Sequence, residues 1–403
     1  MIAPAPEHSN RPGMAFRISA RRDPRPDPRD LALTIVIPAF NEEARLDDSL
    51  PLLTVGAATG AIDPATTEII VVDDGSTDCT AERALALLRR FPHSRAVRLH
   101  RNVGKGGAVR AGVAQVRSPV SVFMDSDMSV DPSQLPQLLA ALEQADVAIG
   151  SRALPTSTVI CDNFGRIIMG RMFNRVVNAA TKLSLEDTQC GFKAFRTPIA
   201  RLLFQFTRTE RFAFDVDLLV LARRLGLRIA EVPVFWRHVG GSRVRMLRDP
   251  LSMLSDVMSI KVDSHSTQST GGLVVMSDEA KQDLVPAIQA VLDENYQYVP
   301  GRSPLICTLE GGGALVLFPM TPESEAWEFA ECLTTRFPQF RVSYQRFGIE
   351  DLARHELWSA SSSCGHSTSF RANAVDASAR ALNRPMSSSP GGQIASSITP
   401  LVT

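Results

Sequence analysis

Surplus charge is what this chain most plainly lacks: 43 lysines and arginines balance 43 aspartates and glutamates over 403 residues. A dedicated nucleic-acid binder would carry a basic domain, so no nucleic-acid partner is expected. Paired cysteines are missing as well. Cys79, Cys161, Cys190, Cys307, Cys332 and Cys364 scatter without a C-x-x-C, which argues against a zinc site or a disulfide framework and for a reducing cytoplasm. No run of about 18 apolar residues occurs, so no spanning helix is expected. Residues 1–30, rich in Pro and Arg, hold no apolar core of signal-peptide length and read as disordered.

What is present begins at Leu31. Short apolar, β-branched runs at Leu33–Ile37, Glu68–Val72, Val97–Leu99, Val120–Met124 and Val147–Ile149 alternate with helical patterns at 42–53, 80–90, after 107, and 135–144. This alternation predicts right-handed βαβ units and an α/β, Rossmann-like, mostly parallel sheet with helices on both faces. Ligands of such sheets bind beyond the carboxyl ends of the strands. A long helix is expected over 166–183, and a second with an Asp249–Pro250 start. The domain reading is therefore a catalytic-size α/β domain over 31–263, a linker over 264–272, a small α+β unit over 273–358 and a disordered Ser-rich tail over 359–403.

Four strand ends carry polar or acidic loops. Asp125-Ser126-Asp127 follows Val120–Met124, and two carboxylates at that spacing suit a hard divalent cation, Mg²⁺ or Mn²⁺, that also takes phosphate oxygens. D-x-D alone is a weak signal, and solvated loop acids would be its ordinary explanation. Its place after a buried strand, with Asp73-Asp74 after another, reverses that preference. Pro38, Phe40, Glu42 and Asp73 can hold a nucleoside by ring stacking and by carboxylate contacts to ribose or base. Helix N-terminal charge is the plainer account of Glu43. Asn102-Val103-Gly104-Lys105-Gly106-Gly107 lacks the full phosphate-loop pattern, yet its glycines allow close backbone approach and Lys105 can serve donor phosphates.

Read together and in order, PAFNEE (38–43), VVDDGSTD (71–78), RNVGKGGAVRAG (101–112), MDSD (124–127), GSR (150–152), DTQCGFKAF (187–195), RFAFDVDLL (211–219) and EVPVFWRHVGGSRV (231–244) resemble the family 2 glycosyltransferases with a GT-A fold, and among them the dolichyl- and polyprenyl-phosphate β-glucosyltransferases. The resemblance runs from about Leu33 to Lys261. It implies UDP-glucose as donor, a polyprenyl or dolichyl monophosphate as acceptor, and inversion. It implies Asp125, Ser126 and Asp127 at the metal and donor, and Pro38, Phe40, Glu42 and Asp73 at the nucleoside. Met128-Ser129 after the D-x-D departs from a pattern with a further ligand at 129. Where family members often carry C-terminal membrane helices, this chain has its α+β unit. Peripheral contact at the cytoplasmic face of a membrane is then expected, with a membrane partner or self-association.

Two anions must be brought together, so cations are needed more than a strong base. Arg152 and Arg243 are expected to clamp phosphate, with Arg166 and Arg171 as further candidates. Asp127, Arg152 and Asp215 form the expected catalytic set, Asp215 orienting sugar hydroxyls or an arginine. His238 reads equally as a contact to the leaving diphosphate or as a structural residue. Residues 247–262 read as core packing or as an interfacial membrane helix. A soluble phosphorylated or glycan acceptor, and a non-catalytic nucleotide-sugar-binding regulator, are the alternatives.

Overall fold

The structure, a computed structural model, describes residues 16–19, 31–161, 164–211, 213–239, 257, 269–277, 284–295, 304–309, 313–321, 323–348, 352, 359–360 and 370–372. The chain divides into two compact units, Met1–Arg223 with Leu227–Ser264, and Arg224–Gly226 with His265–Thr403.

The first unit is built on an eight-stranded sheet. Its strands are β1 (Phe16–Ser19), β2 (Leu33–Ala39), β3 (Thr67–Asp73), β4 (Arg95–Leu99), β5 (Val120–Met124), β6 (Val147–Ser151), β8 (Phe192–Arg196) and β9 (Ile229–Pro233), in the order β1-β4-β3-β2-β5-β8-β6-β9. A two-stranded parallel ribbon, β7 (Thr158–Ile160) with β10 (Phe235–Arg237), lies outside it. β2 is buried along its whole length, as a strand covered on both faces must be. Ile35, Ile37, Ile69, Val71, Val122 and Met124 share one core with helices α1 (Glu43–Ser49), α2 (Pro51–Ala58), α3 (Thr80–Leu87) and α5 (Leu135–Ala141). Val36 and Val72 point to the other face, against Gly112 of α4 (Lys105–Val113), where a Cβ would run into both. Phe123 meets Phe214 there at 5.6 Å between ring centroids, and Phe214 stacks on Phe204. Those two rings come from α8 (Phe214–Arg224) and α7 (Thr197–Phe206).

Several sequence expectations need correction. The single helix expected over 42–53 is two, because Pro51 lacks an N–H and starts a new helix. β6 does not pair with β5. The unforeseen β8 lies between them, antiparallel to both, so the sheet is mixed as well as mostly parallel. Phe16–Ser19, inside the segment read as disordered, pairs antiparallel with β4. The long helix is α6, Phe164–Thr181.

In the second unit, β11 (Ser269–Ser277) occupies part of the expected linker. It is followed by α9 (Val285–Asn295), β12 (Leu305–Leu309), β13 (Gly313–Phe318), α10 (Glu323–Arg336) and β14 (Phe340–Gly348). The order β14-β11-β13-β12, all antiparallel, is a split βαβ arrangement. Its core is its own, formed by Leu273, Val275, Ile288, Val316, Phe318, Phe329 and Leu333. The tail adds β15 (Ser359–Ala360) and β16 (Phe370–Ala372) to the β12 side of this sheet. The helix expected after Asp249 lies outside the described residues.

Candidate active site

The loops after β2 and β3 hold each other. Asn41, at φ 52°, accepts from Thr77 N at 2.7 Å and donates its own backbone N–H to Ser76 Oγ. Glu42 N donates to Thr80 Oγ1, and the Glu43 carboxylate accepts from Cys79 N. Glu42 itself is buried and paired with Arg45 at 3.0 Å. Asp73 is fully buried, accepts from Ser76 N at 2.8 Å and faces Arg98 at 3.3 Å. Pro38 ends inside β2, and Phe40 is half-buried just beyond it.

Asp74, to which the sequence assigned no separate role, grips the glycine loop. Its two oxygens accept from Val103 N at 2.8 Å and Gly104 N at 2.9 Å. Burial pushes its carboxyl up to about 6, against the lowering effect of those two N–H bonds. Gly104 sits at φ 97°, where an L side chain is strained, and a Cβ would meet the Glu210 carbonyl at 2.6 Å. The glycine therefore lets α4 start where it does and delivers Lys105 to the sheet's rim.

There the Lys105 ammonium lies 2.7 Å from Asp125 and over the rings of Phe123 and Phe214. Burial opposes its charge, but Asp125 and Asp215 outweigh that and raise its pKa. Asp127 accepts from Ser129 N at 3.0 Å; burial, then the neighbouring charge of Asp125, push its carboxyl up. Ser126, between them, is half-exposed. The charge of Asp125 raises the proton affinity of Asp127, and a divalent cation between the two carboxylates would relieve that repulsion. Among the described residues no group of three or more acidic, His or Cys ligands gathers. A cation held by Asp125 and Asp127 would therefore complete its shell with diphosphate oxygens and water, which is the ordinary habit of Mg²⁺.

The other wall is built on Arg152, at the end of β6. Asp187 accepts from its Nε at 2.6 Å, its Nη2 at 2.9 Å and its backbone N at 3.0 Å. Burial works against both charges; the pairing nonetheless lowers Asp187 and raises Arg152. The guanidinium also lies 5.7 Å over Trp236. Trp236 lines a cleft with Met124, Asp125, Met128, Ser129, Val130 and Gly191. The sequence assigned no role to Trp236 or Asp187, though both stand in motifs it singled out.

Asp215 is not turned to a sugar or an arginine. It pairs with Lys193 of β8 at 2.7 Å, and both are sealed from water. Asp217 caps a turn, accepting from Arg208 N and Thr209 N. His238 stacks on Trp236, its backbone N–H bonded to Ile160 O. Arg171 is exposed on α6; Arg166 lies on the same helix, its side chain outside what is described. Arg243 lies outside the described residues. The structure thus brings Lys105, Asp125, Asp127, Arg152 and Asp215 to one region, and gathers Glu42 and Asp73 in the adjoining loop pair.

Residues 34–203 match the model of glycosyl transferase family 2. The chain is 37% identical over 248 residues to a dolichyl-phosphate beta-glucosyltransferase of Drosophila melanogaster, spanning 59% of this chain and 76% of that one. The chain belongs to glycosyltransferase family 2. A dolichyl-phosphate beta-glucosyltransferase of Homo sapiens is 34% identical over 57% of this chain and 75% of its own. Among solved structures, glucosyl-3-phosphoglycerate synthase of Mycobacterium tuberculosis, in complex with Mn²⁺, UDP and its product, matches at 23% identity and a TM-score of 0.42, covering 57% of this chain and 78% of that one.

Proposed function

We propose that this family 2 enzyme moves glucose from UDP-glucose to a dolichyl or polyprenyl phosphate with inversion, at the cytoplasmic face of a membrane. The observation that carries the reading is a cleft lined by Asp125 and Trp236, with Lys105 at Asp125 and the Asp187-braced Arg152 over Trp236, in a chain 37% identical over 248 residues to a dolichyl-phosphate beta-glucosyltransferase.

Asp125 and Asp127 would hold Mg²⁺ or Mn²⁺, which supplies charge neutralisation for the departing diphosphate. Lys105, already at Asp125, would add its charge to that of the cation against the diphosphate. The loops carrying Pro38, Phe40, Glu42 and Asp73 take the nucleoside. Asp187 engages Nε and Nη2 of Arg152, leaving Nη1 as the edge offered to the acceptor phosphate, with Arg166, Arg171 and Arg243 as further cations. An acceptor phosphate oxygen is already nucleophilic near neutral pH, so positioning and charge do most of the work.

Membrane contact is supported by α6. It has no acidic residue along its length, and it exposes Met172 and Val176 beside Arg171 and Arg175. Such a face suits anionic head groups. No helix among the described residues is long and apolar enough to cross a membrane. The second reading is a water-soluble phosphorylated acceptor. Labelled UDP-glucose offered with dolichyl phosphate in vesicles and Mg²⁺ or Mn²⁺, with product read by mass, separates the two. Glucosyl lipid in the organic phase is expected; label confined to the aqueous phase rejects the lipid acceptor.

A further inference from the structure

Lys193 stands in the middle of β8, opposite Phe123 of β5 and Ile149 of β6, where a buried strand calls for an apolar residue. Its ammonium is fully buried. It donates to Asp215 at 2.7 Å and to the carbonyl of Cys190 at 2.7 Å, and lies 5.2 Å over the Phe123 ring. A Met–Leu pair would fill much the same volume without the desolvation cost of two ions, so stability alone gives no reason for the pair.

The Cys190 carbonyl belongs to the peptide plane that leads into Gly191. Gly191 is the floor under the D-x-D: its carbonyl accepts from Asp125 N at 3.1 Å, and a Cβ added to it would overlap the Asp125 carboxylate. Fixing the direction of the Cys190 carbonyl fixes the Gly191 backbone against which that carboxylate rests. Cys190 has little other freedom, since its sulfur also packs near the Gly150 position at the end of β6.

We propose that Lys193 is a positioning residue for the metal- and donor-binding carboxylate Asp125, acting through the Cys190–Gly191 backbone, with Asp215 as the counter-ion that keeps its ammonium in place. The proposal rests on the donor reading given above. Lys193 touches neither donor nor acceptor; it sets where the carboxylate stands.

The test separates the carbonyl contact from the charge. Lys193→Gln/Asp215→Asn is neutral but keeps a donor for the Cys190 carbonyl. Lys193→Met/Asp215→Leu is neutral, packs the space and has no donor. Both are compared with wild type by thermal unfolding and by Mn²⁺ binding in the presence of UDP, read as the electron paramagnetic resonance of bound Mn²⁺. The Gln/Asn variant is expected to hold Mn²⁺·UDP within about threefold of wild type, and the folded Met/Leu variant to lose about tenfold or more. Equal behaviour of the two variants, whether both normal or both impaired, overturns the proposal. Should the Met/Leu variant not fold, Lys193→Arg serves: it keeps the charge, but its longer, planar head does not fit the sealed ammonium position and must displace the Cys190 carbonyl. It is then expected to lose about tenfold in Mn²⁺·UDP affinity, and wild-type affinity overturns the proposal. A wild-type protein that binds no Mn²⁺·UDP overturns the donor reading and this inference together. Wild-type binding with matched variants overturns this inference alone.

Discussion

Two lysine–aspartate pairs of identical length share the Phe123 ring in this site and live in different solvents. Lys105–Asp125 and Lys193–Asp215 are both 2.7 Å, but the first pair's side chains keep 21% and 35% of their exposure and the second's 0% and 4%. A pair near water costs little to open, because water and incoming ligands replace what is lost. A sealed pair cannot open without stranding an ion in a low-dielectric interior. The first is therefore suited to exchange partners when a diphosphate and a cation arrive, and the second to hold still. If exposure sets the role, stranding one partner of the sealed pair should appear chiefly in stability, changes on the exposed side in rate, and changes to wet surface charges in neither.

The largest effect should follow from Asp215→Ala, which leaves Lys193 buried with only the Cys190 carbonyl. Breaking one partner of a buried pair costs about 3–5 kcal/mol, so urea unfolding should show a large fall in the midpoint. A midpoint within experimental error of wild type would mean that the pair is not sealed, and the contrast would fail.

On the exposed side, Asp127→Ala should lower turnover by at least ~100-fold, the scale of one lost charge-stabilising contact, while the unfolding midpoint stays put. Asp127 is raised by burial and by Asp125, so removing it also relieves repulsion. Near-normal turnover would remove the cation role of the D-x-D.

How much of this was legible in the sequence follows the same division. β2, β3 and β5 announced themselves because each holds an unbroken apolar, β-branched run or near-run that is buried on both faces. β8 did not, because Lys193 interrupts Phe192 and Ala194 and its partner, Asp215, lies 22 residues on. The acids at strand ends were visible as acids. Roles were missed where the partner was remote: Asp187 pairs with Arg152, 35 residues back, and Asp74 with the 103–104 amides, about 30 residues ahead. Trp236 could have been suspected, as an aromatic in a motif that also carries a ligand-edge strand. The pairing of β10 with β7 that brings it to the cleft had no local signature.

Asp74 sharpens the contrast, since it holds the loop that delivers Lys105 yet is itself buried. Its folded pKa, about 6, lies above the usual carboxylate value of about 3.9. Between those values the folded protein keeps a proton that the unfolded chain has lost. The stability contributed by Asp74 is therefore fully present below about pH 4 and falls as pH rises toward 6. Asp74→Asn does not titrate. The stability gap between wild type and this variant should shrink by roughly 1–3 kcal/mol from pH 4 to 6 and be flat above, read by urea unfolding across that range. A gap that widens with rising pH would show the carboxylate to be held ionised, and the loop grip to be an ion–dipole clasp of the kind found at wet sites.

The smallest effect belongs to charges wholly in water. Arg175, exposed on α6 next to Val176, has no part in either pair. Near an anionic surface a single basic residue is worth about 1 kcal/mol, and salt screens it within about 10 Å at 0.1 M. Arg175→Gln should therefore weaken binding to anionic vesicles about fivefold at low salt, less at high salt, and leave unfolding and turnover on a short water-soluble acceptor unchanged. Loss of turnover on that acceptor would place Arg175 inside the reaction instead of on its approach. A charge open to water would then be acting like one of the site's pairs, and exposure alone would no longer sort these residues by role.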